Sequence, residues 1–261
     1  MRRAGLIASI LAGLSFPALA DLRLDALLAA YPDRLASYTD SELIWQDGSH
    51  MPLGSSHPNM PFAELLDRAD IRDQFVIPYP LATAPFREPA TDADPGRLRN
   101  EAFFLKMYGD CRKGEVTPKL RAISWLPHHG GGMIRATTIN GVADQLEKVS
   151  RDLDLLPAAM IQYLVPMSGT YNCRPIAETH RLSVHAFGAA IDINARFGNY
   201  WLWSKGPDGA IAWRNQIPKE IVEIFERYGF IWGGRWYHFD SLHFEYRPEL
   251  IALAKQGWPR D

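Results

Sequence analysis

The stretch SVHAFGAAIDIN, residues 183–194, sets His185 and Asp192 seven positions apart with Gly188, Ala189 and Ala190 between them. Small residues let one backbone approach another closely. The run then enters Ile191 and Ile193, so the pattern is that of a polar site cut into a tightly packed element. A second polar patch, WGGRWYHFDSLHFEYRP, occupies residues 232–248; in it Asp240 precedes His243 by three positions and Glu245 follows by two. A fold that uses both patches has to close on itself.

The residue types suit a hydrolytic zinc centre. Such a centre takes three protein ligands and leaves one position open, and it needs a carboxylate that is not a ligand to accept a proton from water. The simplest assignment makes His185, Asp192 and His243 the ligands of Zn2+ and Asp240 the base. Strand side chains alternate with period two, so a gap of three requires a turn or bulge between Asp240 and His243. Alternatives remain at several positions. Asp192 in a different role would orient His185. His238 is the nearest competing ligand and is expected to be a pocket or supporting residue. Glu245 either holds the His243 imidazole or lies at the core edge. The tract His128-His129-Gly130-Gly131-Gly132 reads as a rim loop in preference to a second metal site, and His180 has no supporting neighbours. Trp201, Trp203 and Trp213 read as core or loop anchors, although aromatic rims also hold sugars. Ser183, His185 and Asp192 contain the residue types of a serine triad, but the serine lies two residues from the histidine without a nucleophile elbow.

The two patches resemble the M15 metallopeptidases, the zinc D-alanyl-D-alanine carboxypeptidase and L-alanyl-D-glutamate peptidase group that includes VanY-like enzymes. S-V-H-A-F-G-A-A-I-D fits that group's S-x-H-x-x-G-x-A-x-D signature, and D-S-L-H-F-E after Trp232-Gly233-Gly234 is similar to its second signature. The resemblance covers roughly Ile123 to Pro248. It implies a Hedgehog/DD-peptidase-like fold, His185, Asp192 and His243 as zinc ligands, and Asp240 as catalytic base. By the same analogy Ser183 lines the substrate pocket and Arg174, within SGTYNCRPIAETHR, steadies the oxyanion. The flanking Cys173 and Pro175 depart from the family's usual form. The implied substrates are peptidoglycan stem peptides, cut by a carboxypeptidase or an endopeptidase. A zinc-holding module that binds wall peptides without cleaving them is the alternative, and the presence of Asp240 favours catalysis.

The rest of the chain frames this reading. Arg2 and Arg3, the apolar run Leu6–Phe16 and the small residues Ala18–Ala20 read as a secretory signal over residues 1–20, with Asp21 as the mature start. An eleven-residue run is too short to span a bilayer, so a periplasmic or secreted protein is expected, with no membrane anchor after cleavage. Removing residues 1–20 takes away two arginines and no acid, moving the net charge from −2 to −4; nucleic-acid binders are normally basic. In an exported chain two cysteines suggest a disulfide, Cys111 to Cys173.

A coarse pass predicts one or two short helices over Asp21–Tyr38, a hairpin at Asp47-Gly48, a helix at Phe62–Leu66, a strand at FVIPY and a loop over residues 80–95. Beyond that it predicts a helix or apolar segment at AFFLKMYG, strands at RAISWLP and MIQYLVP, a helix capped by Asn140, a strand ending SVHAFGAAIDIN, a helix at KEIVEIFERYGF stopping at Gly229, and a last strand in HFDSLHFEY. Mixed helices and hairpin-length gaps point to an α+β fold with a mainly antiparallel sheet and flanking helices. The expected organisation is a signal over 1–20, an N-terminal extension of unassigned role over 21–100 and an M15-like zinc peptidase domain over 101–261.

Overall fold

The computed structural model describes residues 21–57, 59–177 and 179–259; the expected signal lies outside them. Helix α1 (Leu22–Ala30) starts at Asp21, whose carboxylate accepts the Arg23 N–H at 3.0 Å, a cap that satisfies one orphan donor of the first turn. Strands β1 (Leu35–Tyr38), β2 (Glu42–Trp45) and β3 (His50–Pro52) then form an antiparallel sheet in that order. The predicted hairpin at Asp47-Gly48 joins β2 to β3, with Gly48 at φ +77° supplying the left-handed residue of the turn. β1 occupies the end of the expected helical stretch: Pro32 interrupts the helix, and pairing with Trp45 draws Leu35 into the core.

Helix α2 (Phe62–Arg68) lies where expected. FVIPY is not a strand. A 3-10 turn covers Arg72–Phe75, and Pro78 and Pro80 cannot donate to a ladder; Phe75 and Tyr79 are buried nonetheless. Helix α3 (Glu101–Tyr108) is capped by Asn100, which accepts the Phe103 N–H. Strands β4 (Leu120–Ser124) and β5 (Met133–Thr137) pair antiparallel. Helix α4 (Val142–Leu153) buries Val142, Leu146, Val149 and Leu153, the stripe its spacing predicted. Its boundary residue is Gly141, preceded by Asn140 in a left-handed turn, and Asn140 gives no side-chain cap. MIQYLVP folds as helix α5 (Ala158–Ile161) and a turn, because Pro157 pre-sets a helical start and Pro166 removes a ladder donor.

The third sheet holds β6 (Ala190–Asp192), β7 (Phe230–Trp232) and β8 (His243–Tyr246) in the antiparallel order β6–β8–β7. Helix α6 (Lys219–Arg227) precedes β7 and buries Ile221, Ile224 and Phe225; Gly229 at φ +87° ends its turn. Helix α7 (Pro248–Gln256) follows β8 directly. The class is α+β, with the antiparallel strands divided among three small sheets.

One apolar core runs from Leu24 on α1 to Leu253 on α7 and includes residues of all three sheets. Phe225 and Phe244 stack at 3.8 Å between centroids, tying α6 to β8. Residues 21–100 enter this core and also its charges: the Tyr31 hydroxyl donates to Glu249 at 2.6 Å, and Arg247 donates to the Gly96 carbonyl at 2.7 Å.

Cys111 and Cys173 form a disulfide across 62 positions. It ties the turn after α3 to the segment 168–175, which pairs with β6 through Gly169 and Asp192. Closing a loop of this length constrains the unfolded chain and stabilises by about 2–4 kcal/mol. Cys111→Ser is therefore expected to lower the urea unfolding midpoint by that free energy, and an unchanged midpoint would show that the bridge carries no stability.

Candidate metal centre and active-site cleft

β6 and β8 pair so that Asp192 lies opposite His243, Ile191 opposite Phe244 and Ala190 opposite Glu245. Cross-strand partners share one face of a sheet, so Asp192 and His243 point the same way. His185 reaches them from a 3-10 turn over Val184–Phe187, entered through a Ser183 cap and left through Gly188 at φ +68°. A Cβ at Gly188 would stand 2.6 Å from Leu120 Cδ2 and 3.1 Å from the Thr137 nitrogen. Both the turn and the close pass against β4 and β5 therefore require glycine here.

Three ligand atoms converge. His185 Nε2 lies 3.1 Å from His243 Nδ1 and 3.1 Å from Asp192 Oδ1, and His243 Nδ1 lies 2.9 Å from Asp192 Oδ1. The outward nitrogens are engaged: His185 Nδ1–H donates to the Thr170 carbonyl, and His243 Nε2–H donates to Glu245 at 3.2 Å. A carbonyl accepts only, so His185 carries a proton on the outward Nδ1. One nitrogen of each imidazole and a carboxylate oxygen thus face a single point, the donor set of a cation site. Burial alone would lower His243, but Asp192 and Glu245 outweigh it and lift the imidazole to about 10. Burial alone would raise Asp192, but hydrogen bonds from His185 and His243 hold it below the usual carboxylate range. Ligands about 2.0–2.2 Å from a tetrahedral zinc are about 3.3–3.6 Å apart, so this cradle needs only slight widening to hold one. The outward hydrogen bonds are those that orient metal-binding imidazoles.

Glu245 takes the first of its two sequence readings and holds the His243 imidazole. Buried Arg99 and Arg247 flank it at 3.4 and 3.5 Å, and with His243 they overcome the cost of burial and hold its carboxyl at about 2. The chain of charges continues from Arg247 Nε to Glu249 at 2.6 Å and on to Tyr31.

Asp240 stands across a turn, with the His243 N–H donating to the Asp240 carbonyl at 3.1 Å. The three-residue gap is thus bridged as the strand period demanded. A Cβ at Gly233 would meet the Asp240 carbonyl at 2.5 Å, which explains the glycine of the Trp232-Gly233-Gly234 segment. Asp240 Oδ1 is buried without a hydrogen-bond partner. Burial pushes the carboxyl up to about 6; the Asp192 charge adds to the rise, and His243 and Arg97 oppose it.

These residues line a cleft of about 340 Å³. Ser183 lines it too, although its hydroxyl also accepts the His185 N–H at 3.4 Å. Arg174 stands exposed on the rim, donating to the Pro175 carbonyl at 3.3 Å. His238 lies outside the cradle, bound to Asp94 at 2.6 Å and stacked on Phe62. His128 and His129 are held by Asp154 at the end of α4, and His180 belongs to no ligand cluster among the described residues. Trp203 is 70% exposed and lines the cleft, Trp201 packs on His238, and Trp213 donates to the Gly234 carbonyl.

Sequence reasoning missed Arg97 and Arg99, which reach the cleft from the loop before α3. The stretch GRLRN carries no periodicity or motif, and its only signal was two basic residues beside a helix cap.

No curated protein and no solved structure matches this chain. A family model described as D-alanyl-D-alanine carboxypeptidase matches residues 177–246. That span takes in Ser183, His185, Asp192, Asp240 and His243 and stops short of Arg97, Arg99 and Arg174. Over these residues the chain is similar to the M15 D-alanyl-D-alanine carboxypeptidase family that the model describes.

Proposed function

We propose that the protein is an exported zinc peptidase that hydrolyses peptide bonds of cell-wall peptidoglycan, as a D,D-carboxypeptidase or an L-Ala-D-Glu-type endopeptidase. The carrying observation is the convergence of His185 Nε2, Asp192 Oδ1 and His243 Nδ1 within 3.1 Å of one another. His185, Asp192 and His243 hold the zinc. When bound, zinc supplies Lewis acidity, bringing the pKa of water to about 7 and polarising the scissile carbonyl.

The protein's own side chains do the rest. Asp240, with one buried oxygen free of partners, takes the proton of the attacking water and passes it to the leaving amine. Arg174 at the rim swings its guanidinium toward the oxyanion, and Ser183 contacts the peptide. Glu245 and the Thr170 carbonyl fix the two imidazoles. Residues 1–20 export the chain to the periplasm or beyond, residues 21–100 back and wall the site, and residues 101–261 carry the peptidase elements. A catalytically inert module that binds wall peptides is the weaker reading, because such a module has no use for an unpartnered carboxylate beside the cradle.

Treating the purified protein with a chelator is expected to abolish cleavage of purified muropeptides, and added zinc to restore it. Cleavage that persists after verified metal removal overturns the reading. Mass spectrometry of the products identifies the bond cut.

A further inference from the structure

Resting on the peptidase reading above, we propose that Arg97 is the anchor for a free substrate carboxylate, so that this site releases a C-terminal residue and does not cut within a peptide.

Arg97 belongs to the loop before α3, outside the family match. Its guanidinium lies 5.3 Å over the Trp236 ring and donates from Nη1 to the His238 carbonyl at 3.1 Å. His238 is two residues from Asp240, and Trp236 also packs against the His243 ring at 5.5 Å. Arg97 is therefore held in the same cleft wall as Asp240, and its charge acts on that carboxyl. Of the other charges of the cleft, Arg174 stands exposed on the rim, where its side chain meets the Pro175 carbonyl. Arg99 pairs with Glu245, and Asp192 accepts from both imidazoles. Among the described residues the Arg97 guanidinium has no ion pair, and the His238 carbonyl is the one acceptor it meets. A guanidinium has five donors in a planar fork that matches a carboxylate, so Arg97 is a half-buried, pre-positioned cation with donors to spare.

The chemistry of the leaving group says what fits there. The residue released by a carboxypeptidase carries its amine and its α-carboxylate on the same carbon. Asp240 delivers a proton to that amine. Whatever binds the carboxylate must then line the cleft within reach of Asp240, and Arg97 lines it. In an endopeptidase that carbon bears an amide and more chain, with no anion for the guanidinium to meet.

Two peptides of identical sequence ending in D-alanyl-D-alanine, one with a free C-terminus and one amidated, test this with the zinc-loaded protein. The native protein is expected to prefer the free acid. Arg97→Gln is expected to lower kcat/KM on the free acid about 10–100-fold, the worth of a charged hydrogen bond, and to leave the amide unchanged; Arg97→Lys recovers part of the loss. Equal loss on both peptides assigns Arg97 to positioning Asp240 and overturns the proposal, as does no loss on either. Calorimetric binding of the same two peptides decides the matter without turnover. Loss of acid-over-amide preference in Arg97→Gln supports the anchor, and an unchanged preference overturns it. A native protein that binds the acid through Arg97 but cleaves neither these peptides nor purified muropeptides contradicts the peptidase reading and leaves the anchor standing. Matching circular dichroism spectra establish that both variants are folded.

Discussion

Asp240→Asn is expected to keep one zinc per chain and to lose turnover by about 10²–10⁴-fold, the range a positioned general base contributes. The substitution preserves shape and removes only the capacity to take a proton. The cradle of His185, Asp192 and His243 does not include Asp240, whose Oδ1 is free of hydrogen bonds. Metal content by mass spectrometry and steady-state kinetics on one preparation separate the possibilities. Parallel loss of zinc and activity would make Asp240 a ligand. Retention of both would move the base elsewhere in the cleft.

The largest expected stability effect lies behind the site. Arg247 is fully buried between Glu245 and Glu249, at 3.5 and 2.6 Å, and also holds the Gly96 carbonyl. Removing one member of a buried ionic group leaves uncompensated charge and costs about 3–5 kcal/mol. Arg247→Met is expected to shift urea unfolding by that amount. Adding Glu249→Leu to it is expected to recover part of the loss, because one stranded carboxylate is then gone. The recovery is incomplete, since Glu245 keeps Arg99 and His243 but not Arg247, and the Tyr31 hydroxyl loses its acceptor. If Arg247→Met unfolds at the native midpoint, the network is not a source of stability.

What could be read from the sequence followed from local rules. The α4 stripe, the Asp47-Gly48 hairpin and the turn between Asp240 and His243 each express a period or a backbone requirement within a few residues. The pairing of the two polar patches was legible because zinc chemistry needs a fixed ligand set, and because Gly188 and Gly233 mark the close passes that make room for it. Elements decided by distant partners were hidden. β1 forms because Leu35 meets Trp45, and FVIPY and MIQYLVP read as strands until their prolines are weighed against a ladder's need for donors. Arg97 and Arg99 had no periodicity or motif to mark them, only their place beside a helix cap. Their roles arise because the loop over residues 94–99 crosses behind and beside β8, a placement set by tertiary packing.

The pairing of Asp192 with His243 across β6 and β8 gives the protein a form of proofreading. A slip of one residue would turn one of these side chains to the opposite side of the sheet, scattering the donors before any ion could lodge there. On the peptidase reading proposed above, the site stays inert until those strands align, because the alignment that completes the sheet also brings the three donor atoms together.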